Sequence, residues 1–344
     1  GKQSKTEELS MIEIPSNKIQ EDLDWFRFIA SFTGTGVADI FEEISSQTSQ
    51  LIRFGDLYNF DSVVTRGTEL TINKKNFGSL LIPYSIDRAI RKKDMWTVDK
   101  VERQYLKLNN RLNENLNLKV PLNCVMPTIR TTAGNNTIDI STSTDFVLVK
   151  DFPGSDNFFI GDKQRLRKSL TLWERYVRGK VGNLFILRRF PINSVGTIHL
   201  SYYSAEKISA VKTMWIATID DENEAKILSM WLNSSIHLLQ TFQERVEDVW
   251  LEIGKYILEE MLVINPKILP NDKKKMLLKK FEKISKISFP NLELQYSKEF
   301  GGRVELDLAI LNALGFDEAK AKKLLKEIYK VITHQFAVIR EMSQ

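Results

Sequence analysis

The change in residue pattern near position 220 constrains the fold more than any other feature of the sequence. Between about 50 and 215, short apolar runs such as SLLIPY, CVMPTIR, FVLVK and KTMWIATI are separated by Gly, Pro, Asn and Thr. This punctuation is typical of β-strands joined by turns. From residue 221 onward, apolar residues recur at steps of three and four, which is typical of helices. We therefore predict an α+β fold in which a β-rich, irregular region precedes a helical C-terminal region.

The same pattern divides the chain into three predicted parts. Residues 1–50 form a connecting segment, residues 51–220 a β-rich domain, and residues 221–344 a helical region that braces this domain or docks a partner. At 344 residues the chain is long enough for two hydrophobic cores. Two helices are predicted upstream of 220. One is VADIFEEISSQTSQLI, and a longer one covers 85–114, where apolar residues from Ile86 to Leu112 fall roughly on one face.

The cysteine and histidine content limits the chemistry. Cys124 is the only cysteine, so an internal disulfide is excluded, as expected for a protein of the reducing cytoplasm. With three well-separated histidines, this content argues against a structural zinc site. No apolar run reaches the roughly 18 residues of a membrane span, so we expect no membrane partner. The N-terminus lacks an initiator Met and the apolar core of a signal peptide, and we expect the chain to be part of a longer protein.

Positive charge is concentrated in the middle of the chain. The net charge is +5, but residues 161–190 hold nine Lys and Arg against only two acidic residues. Trp173 and Tyr176 are interleaved with these cations, and the mixture favours contact with the phosphates of double-stranded DNA. A solvated, charged helix is the alternative. The predicted phosphate contacts are Arg66 beside Gly67, Lys163, Arg165, Arg167, Lys168, Arg175, Arg178 and Lys180.

A second polar segment offers side chains that could contact base edges. In TIRTTAGNNTIDISTST, Arg130, Asn135 and Asn136 flank Gly134, with small hydroxyl residues around them. Arginine can bind guanine through two hydrogen bonds, and asparagine can bind adenine in the same way. Asn and Gly also favour tight turns. The sequence leaves base contact and a polar turn as open alternatives.

The segment SFTGTGVADIFEE resembles the S-adenosylmethionine loop of DNA methyltransferases through Phe32, Gly34 and Gly36. Such a loop needs partners that this chain lacks. Ala30 stands where adenine methyltransferases of this type usually have an acidic residue. LIPY places Leu81 where their catalytic motif has a polar residue that accepts hydrogen bonds from the target amino group. We interpret the two glycines as a turn and predict no catalytic, cofactor-binding or metal-binding residue.

Three phrases resemble restriction–modification proteins. LIRFGDLYNFDSVVTRG, residues 51–67, resembles the entry to their target recognition domains. The segment TMWIATIDDENEAKILSMWLNSS resembles a later phrase of these domains, an apolar strand before a helix with Leu-Asn-Ser, and MLVINP follows it. GGRVELDLAILNALGF is similar to a phrase near the end of adenine-N6 DNA methyltransferases with a C-terminal recognition domain. The residues that carry these last two likenesses are Leu232, Asn233, Ser234, Arg303, Leu306, Asp307, Leu314 and Gly315.

This resemblance implies sequence-specific recognition of double-stranded DNA by the non-catalytic specificity part of an adenine-N6 DNA methyltransferase or restriction–modification enzyme. It implies that S-adenosylmethionine, and Mg²⁺ where a nuclease is present, bind an attached or partner methyltransferase or nuclease domain. Leu-Asn-Ser is expected to be structural. Two alternatives stay open. One is a divergent S-adenosylmethionine-dependent methyltransferase that uses the Phe32–Gly34–Gly36 loop, and the other is a protein-docking scaffold with an incidental basic surface.

Overall fold

A computed structural model describes residues 37–69, 80–84, 95–158, 163–191, 194–243 and 250–342. The glycine loop at 32–36 lies outside these residues. The strands, in chain order, are β1 (Leu51–Arg53), β2 (Val64–Arg66), β3 (Leu81–Ile82), β4 (Trp96–Val101), β5 (Tyr105–Asn110), β6 (Asn117–Pro121), β7 (Val125–Ile129), β8 (Asp145–Leu148), β9 (Gly182–Leu187), β10 (Arg189–Pro191), β11 (Ser201–Ala210), β12 (Met214–Ala217), β13 (Trp250–Glu252) and β14 (Leu262–Ile264).

The helices follow the same order, and most of them lie after residue 220. They are α1 (Val37–Ser46), α2 (Phe54–Leu57), α3 (Phe60–Val63), α4 (Lys163–Arg178), α5 (Glu222–Leu232), α6 (Ser235–Gln243), α7 (Lys255–Glu260), α8 (Asn271–Ile284), α9 (Leu292–Ser297), α10 (Gly301–Ala313) and α11 (Glu318–Met342). The predicted α+β class with a helical C-terminal region is confirmed. The predicted helix VADIFEEISSQTSQLI forms over Val37–Ser46 only, and its last two residues, Leu51 and Ile52, belong to β1. None of the described helices has the length and apolar content that crossing a membrane requires.

A seven-stranded sheet forms the centre of the β-rich region, in the order β2-β12-β9-β11-β7-β8-β3. Neighbouring strands are antiparallel except β7 and β11, which run parallel. Strand β9 is buried along its whole length, because its sequence GNLFIL lies in the middle of the sheet and is covered on both faces. The sheet therefore supplies the rigid layer on which helices pack.

The predicted helix over 85–114 is wrong where the structure describes it. Residues 96–110 form strands β4 and β5, which pair with β6 in a three-stranded antiparallel sheet. The burial has a period of two: Trp96 and Val98 point inward on β4, and Leu106 and Leu108 do so on β5. The helical spacing came from Val98, Val101, Tyr105 and Leu108. In the structure Val101 is 41% exposed, because pairing between β4, β5 and β6 sets a period of two instead.

Two glycines allow strands to approach closely. A Cβ atom on Gly67 would lie 2.1 Å from the carbonyl oxygen of Val211, and one on Gly182 would lie 2.4 Å from that of Ala217. Both distances are shorter than any real carbon–oxygen contact between non-bonded atoms. Packing therefore explains why Gly67 follows Arg66, since only glycine fits where the chain leaves β2 beside β11 and β12.

The apolar core has two described clusters. The larger one joins strands β9, β11 and β12 to the C-terminal helices and contains the fully buried Trp231. The smaller one lies between strands β3 to β8 and one face of α4. Helix α4 is thus held by the β-rich region, and its opposite face is turned away from that core.

Candidate nucleic-acid interface

Helix α4 carries most of the predicted phosphate contacts, and its orientation is fixed by one apolar face. Its sequence KQRLRKSLTLWERYVR contains neither Gly nor Pro, and Gly179 follows its end. Leu170, Trp173 and Val177 recur at steps of three and four and are buried in the smaller cluster. The indole Nε1 of Trp173 donates a hydrogen bond to the carbonyl oxygen of Leu148 on β8, at 2.9 Å. This bond and the burial fix which face of the helix meets solvent.

The face opposite the core is exposed and holds Gln164, Lys168, Leu172 and Arg175. At about 100° per residue these four side chains lie within about 80° of one another on the side away from Trp173. We call this set the outer face of α4. Neither Lys168 nor Arg175 forms an ion pair with a residue that the structure describes. Leu172 is 68% exposed, which is unusual for a leucine at the centre of a cationic surface.

A second row of cations on α4 is partly neutralised. Arg167 forms ion pairs with Asp151 at 3.0 Å and Asp156 at 2.8 Å. Arg178 binds Glu174 at 2.8 Å, and Lys150 approaches the same carboxylate at 3.3 Å. Burial by itself would raise the pKa of Glu174, but the hydrogen bonds from Arg178 and Lys150 outweigh it and lower the pKa below its usual value. Among the α4 cations whose side chains the structure describes, Lys168 and Arg175 on the outer face are therefore the ones without a neutralising carboxylate.

The C-terminal end of α4 adjoins the segment that follows β2. The ammonium of Lys180 lies 5.1 Å from the ring centre of Tyr176. The hydroxyl oxygen of Tyr176 accepts a hydrogen bond from the backbone N–H of Glu69, at 3.4 Å. Glu69 in turn pairs with Lys212 at 2.7 Å. The outer face of α4 and the end of β2 consequently belong to one stretch of surface.

Arg66 lies at this end of β2 and belongs to a small arginine group. Its side chain is exposed, and its backbone pairs with Trp215 of β12. Arg188 forms an ion pair with Glu252 at 2.8 Å. Burial lowers the pKa of Arg188, Glu252 raises it, and the positive charges of Arg66 and Arg189 lower it further. The guanidinium of Arg188 lies 5.9 Å from the ring centre of Trp215, and Arg189 also pairs with Glu252 at 3.5 Å. One carboxylate therefore offsets the charge of both Arg188 and Arg189.

The segment around Gly134 is a tight turn with buried side chains. The N–H of Asn135 donates to the carbonyl oxygen of Thr132 at 3.0 Å, and Gly134 between them has a φ of +80°, as in a type II turn. Arg130 is 5% exposed and Asn135 is 2% exposed. The amide of Asn135 donates to the carbonyl oxygen of Thr131 at 3.0 Å. This geometry favours the turn interpretation over base contact.

Asn136 is exposed, but its backbone anchors the turn to the helical region. Its carbonyl oxygen accepts a hydrogen bond from the N–H of Phe289 at 2.9 Å and lies 3.0 Å from Nε2 of His199. Base contact by Arg130, Asn135 and Asn136 stays a prediction, and for the first two it requires side chains that this structure buries. The residues near Gly134 that were predicted to contact bases therefore do not form part of the exposed cationic surface.

The Leu-Asn-Ser phrase is structural, as expected. The side-chain oxygen of Asn233 accepts from the N–H groups of Leu200 at 3.0 Å and Ser201 at 3.2 Å. Its amide donates to the carbonyl oxygens of Ser201 and Ser229, both at 2.9 Å. The side-chain oxygen of Ser234 accepts from the N–H of His237 at 3.2 Å. Asn233 thus joins the start of β11 to the junction of α5 and α6.

Two further residues of the resemblance meet at the same place. Arg303, fully buried, donates to the carbonyl oxygen of Asn233 and to Oε1 of Gln295. Asp307 accepts from the N–H of Ser235 at 2.7 Å and from the hydroxyl of Tyr329 at 2.8 Å. Phrases about 70 positions apart therefore form one buried polar network, which joins the central sheet to the C-terminal helices.

The predicted site residues fall into four groups. Lys168 and Arg175 lie on the outer face of α4. Arg167, Arg178, Lys180 and Arg66 border it. Arg130, Asn135 and Asn136 lie at the turn, and the side chains of Lys163 and Arg165 are outside the described part. Sequence analysis missed Gln164 and Leu172. The signal that could have found them is the helical period set by Leu170, Trp173 and Val177.

Comparison with known proteins gives a structural likeness only. Neither the family models nor the curated protein sequences yield a match to this chain. Among solved structures, the type IIG restriction endonuclease BpuSI is similar, with a TM-score of 0.56 and 16% sequence identity. The likeness covers 90% of this chain and 34% of that protein, so the chain spans about a third of its length. At this identity the comparison shows a shared fold.

Proposed function

We propose that this chain recognises double-stranded DNA as part of a restriction–modification enzyme. The observation that carries the proposal is the outer face of α4, on which Lys168 and Arg175 are exposed with no described carboxylate to neutralise them. Two further findings support it: the fold is similar to that of a type IIG restriction endonuclease, and Arg66 is exposed at the end of β2, whose following segment contacts Tyr176 of α4. A restriction enzyme acts on DNA, so a cationic surface on such a fold is suited to contact with DNA phosphates.

The physical basis is release of counterions from the DNA. Each phosphate that a Lys or Arg neutralises releases condensed cations, which makes affinity fall steeply with salt. Phosphate contacts position a protein on the duplex, and base contacts give it sequence specificity. Cations already held by carboxylates, such as Arg167 and Arg178, release fewer ions than Lys168 and Arg175. We therefore expect the outer face to dominate the salt dependence.

The finer assignment follows the sequence resemblance. We propose that the chain is the specificity part of an adenine-N6 DNA methyltransferase or restriction–modification enzyme. Its catalytic groups, S-adenosylmethionine and any Mg²⁺ would then be held by an attached or partner domain. Equilibrium dialysis with labelled S-adenosylmethionine tests this division. We expect no binding by this chain, and saturable binding would favour the methyltransferase alternative that uses the loop at Gly34 and Gly36.

The main experiment measures binding to a mixed-sequence duplex by fluorescence anisotropy at several salt concentrations. We expect log affinity to fall linearly with log salt. The double reversal Lys168→Glu and Arg175→Glu should lower the steepness of that line by about 2, at roughly 0.9 per phosphate contact. The control reverses Lys322 and Lys323, two exposed lysines on α11, and makes the same change in net charge. Equal losses in both variants would mean that only net charge matters, and no binding by the unaltered chain would refute the proposal.

A further inference from the structure

The outer face of α4 has the composition of a surface that contacts bases as well as phosphates. A surface for phosphates alone needs only cations, but this one also includes Gln164 and the 68% exposed Leu172. Arginine pairs with guanine and glutamine with adenine through two hydrogen bonds each, and apolar side chains contact the methyl group of thymine. Of the residues near Gly134 that were predicted to contact bases, Arg130 and Asn135 are buried.

We propose that α4 enters the major groove and that Arg175, Gln164 and Leu172 determine which bases the chain recognises. This inference rests on the proposed function, because it names the part of the DNA that the same surface contacts. Arg175 would donate to a guanine, Gln164 would bind an adenine, and Leu172 would pack against a thymine methyl group. Lys168 would neutralise a phosphate at the groove edge.

The dimensions of the helix fit this assignment. The major groove is about 12 Å wide and admits an α-helix. With a rise of about 1.5 Å per residue, Gln164 and Arg175 are about 16 Å apart along α4. That length corresponds to about five base steps along the groove, at about 3.4 Å each. The four side chains of the outer face follow one another at roughly one per turn, so each can face a different base pair or phosphate.

The surroundings of α4 agree with this approach. One flank carries Asp151 and Asp156, which hold Arg167 by ion pairs and would repel a phosphate strand placed directly against them. The C-terminal end carries Arg175 and Lys180, and the segment after Arg66 contacts it through the bond between Glu69 and Tyr176. Phosphates on one side of the groove would therefore lie towards the end of α4 and the end of β2.

The test is selection of bound sequences from a duplex library with a randomised core, followed by sequencing. The central variant is Arg175→Lys, which keeps the charge but loses the planar fork that binds two acceptors of guanine. We expect the unaltered chain to enrich a motif, and Arg175→Lys to lose the preference at one guanine, with affinity for the original motif lowered roughly ten- to hundred-fold. Leu172→Ala should relax one thymine position.

Lys168→Ala is the matched control for a phosphate contact. It should weaken all sequences alike and leave the motif unchanged. An unchanged motif and affinity in both Arg175→Lys and Leu172→Ala would overturn base contact by α4 and leave DNA recognition by the chain standing. Failure of the unaltered chain to enrich any motif would overturn both proposals. All the substituted side chains are exposed, and equal thermal melting curves will show that each variant is folded.

Discussion

His237 should make the folded protein sensitive to mild acid. Its side chain on α6 is 0% exposed, and neither ring nitrogen has a hydrogen-bond partner among the described residues. Burial lowers the pKa of His237 from 6.5 to about 3, so the native protein holds it neutral. An unfolded chain takes up a proton near pH 6.5. The free energy of unfolding is therefore unaffected by His237 above about pH 6.5, and it decreases as the pH falls from there towards 3.

The substitution His237→Leu has an effect with two separable parts. Removing a buried polar group without a partner should stabilise the fold by about 1–3 kcal/mol near pH 7, less any loss from imperfect packing. The second part depends on pH alone. Each pH unit below 6.5 lowers the free energy of unfolding of the unaltered protein by about 1.4 kcal/mol. Between about pH 7 and about pH 5, the stability of the variant relative to the unaltered protein should therefore rise by about 2 kcal/mol.

Urea unfolding at several pH values measures this difference, because the free energy of unfolding is extrapolated for both proteins under matched conditions. Burial raises the pKa of Asp307, but that residue is the same in both proteins, so its contribution cancels in the difference.

His199→Leu offers a second test. Burial lowers the pKa of His199 to about 3 against the effect of its bond to Asn136, so the pH trend should match while stability near pH 7 falls. His334→Gln on α11, exposed, is the control. Parallel stability curves for His237→Leu and the unaltered protein would refute the reasoning.

Two pairs of substitutions test the packing, and each pair joins a disruptive change to a control. Asn233→Ala should lower the free energy of unfolding by about 3 kcal/mol or more, because it removes four side-chain hydrogen bonds to buried backbone groups of Leu200, Ser201 and Ser229. The exposed Asn115→Ala should change it by less than about 0.5 kcal/mol. Gly67→Ala should cost about 1–3 kcal/mol through its clash with a neighbouring strand. Gly301→Ala, where a Cβ atom meets nothing within 4 Å, should cost nothing. Denaturant unfolding measures all four, and equal values within either pair would contradict the account.

The switch from strands to helices near residue 220 was predictable because each pattern persists over many residues. Apolar spacing also located α1 and the C-terminal helices. It failed over 96–110, where Val98, Val101, Tyr105 and Leu108 fit a helix, while the buried set Trp96, Val98, Leu106 and Leu108 follows the period of strands. Only pairing with β6 decides that case, and pairing depends on residues distant in sequence.

The candidate site was predictable in its charge and less so in its geometry. Nine cations between residues 161 and 190 indicated the region, and six of them lie on α4. The sequence did not show that Asp151 and Asp156 neutralise Arg167, since that depends on tertiary contacts. Polar residues near Gly134 suggested base contact, but Arg130 and Asn135 proved to be buried. Composition alone does not distinguish a polar turn from an exposed recognition loop.

The most direct test of the central claim, contact between DNA and the outer face of α4, is photocrosslinking from that face. A benzophenone side chain is placed at position 172, in place of the exposed Leu172, and at position 268 as a control. Ile268 is an apolar residue of the helical region with 56% of its side chain exposed. Strong crosslinking of a bound duplex from position 172, suppressed by salt and absent from position 268, is the predicted result. A duplex that binds the chain but crosslinks no better from 172 than from 268 would contradict the account.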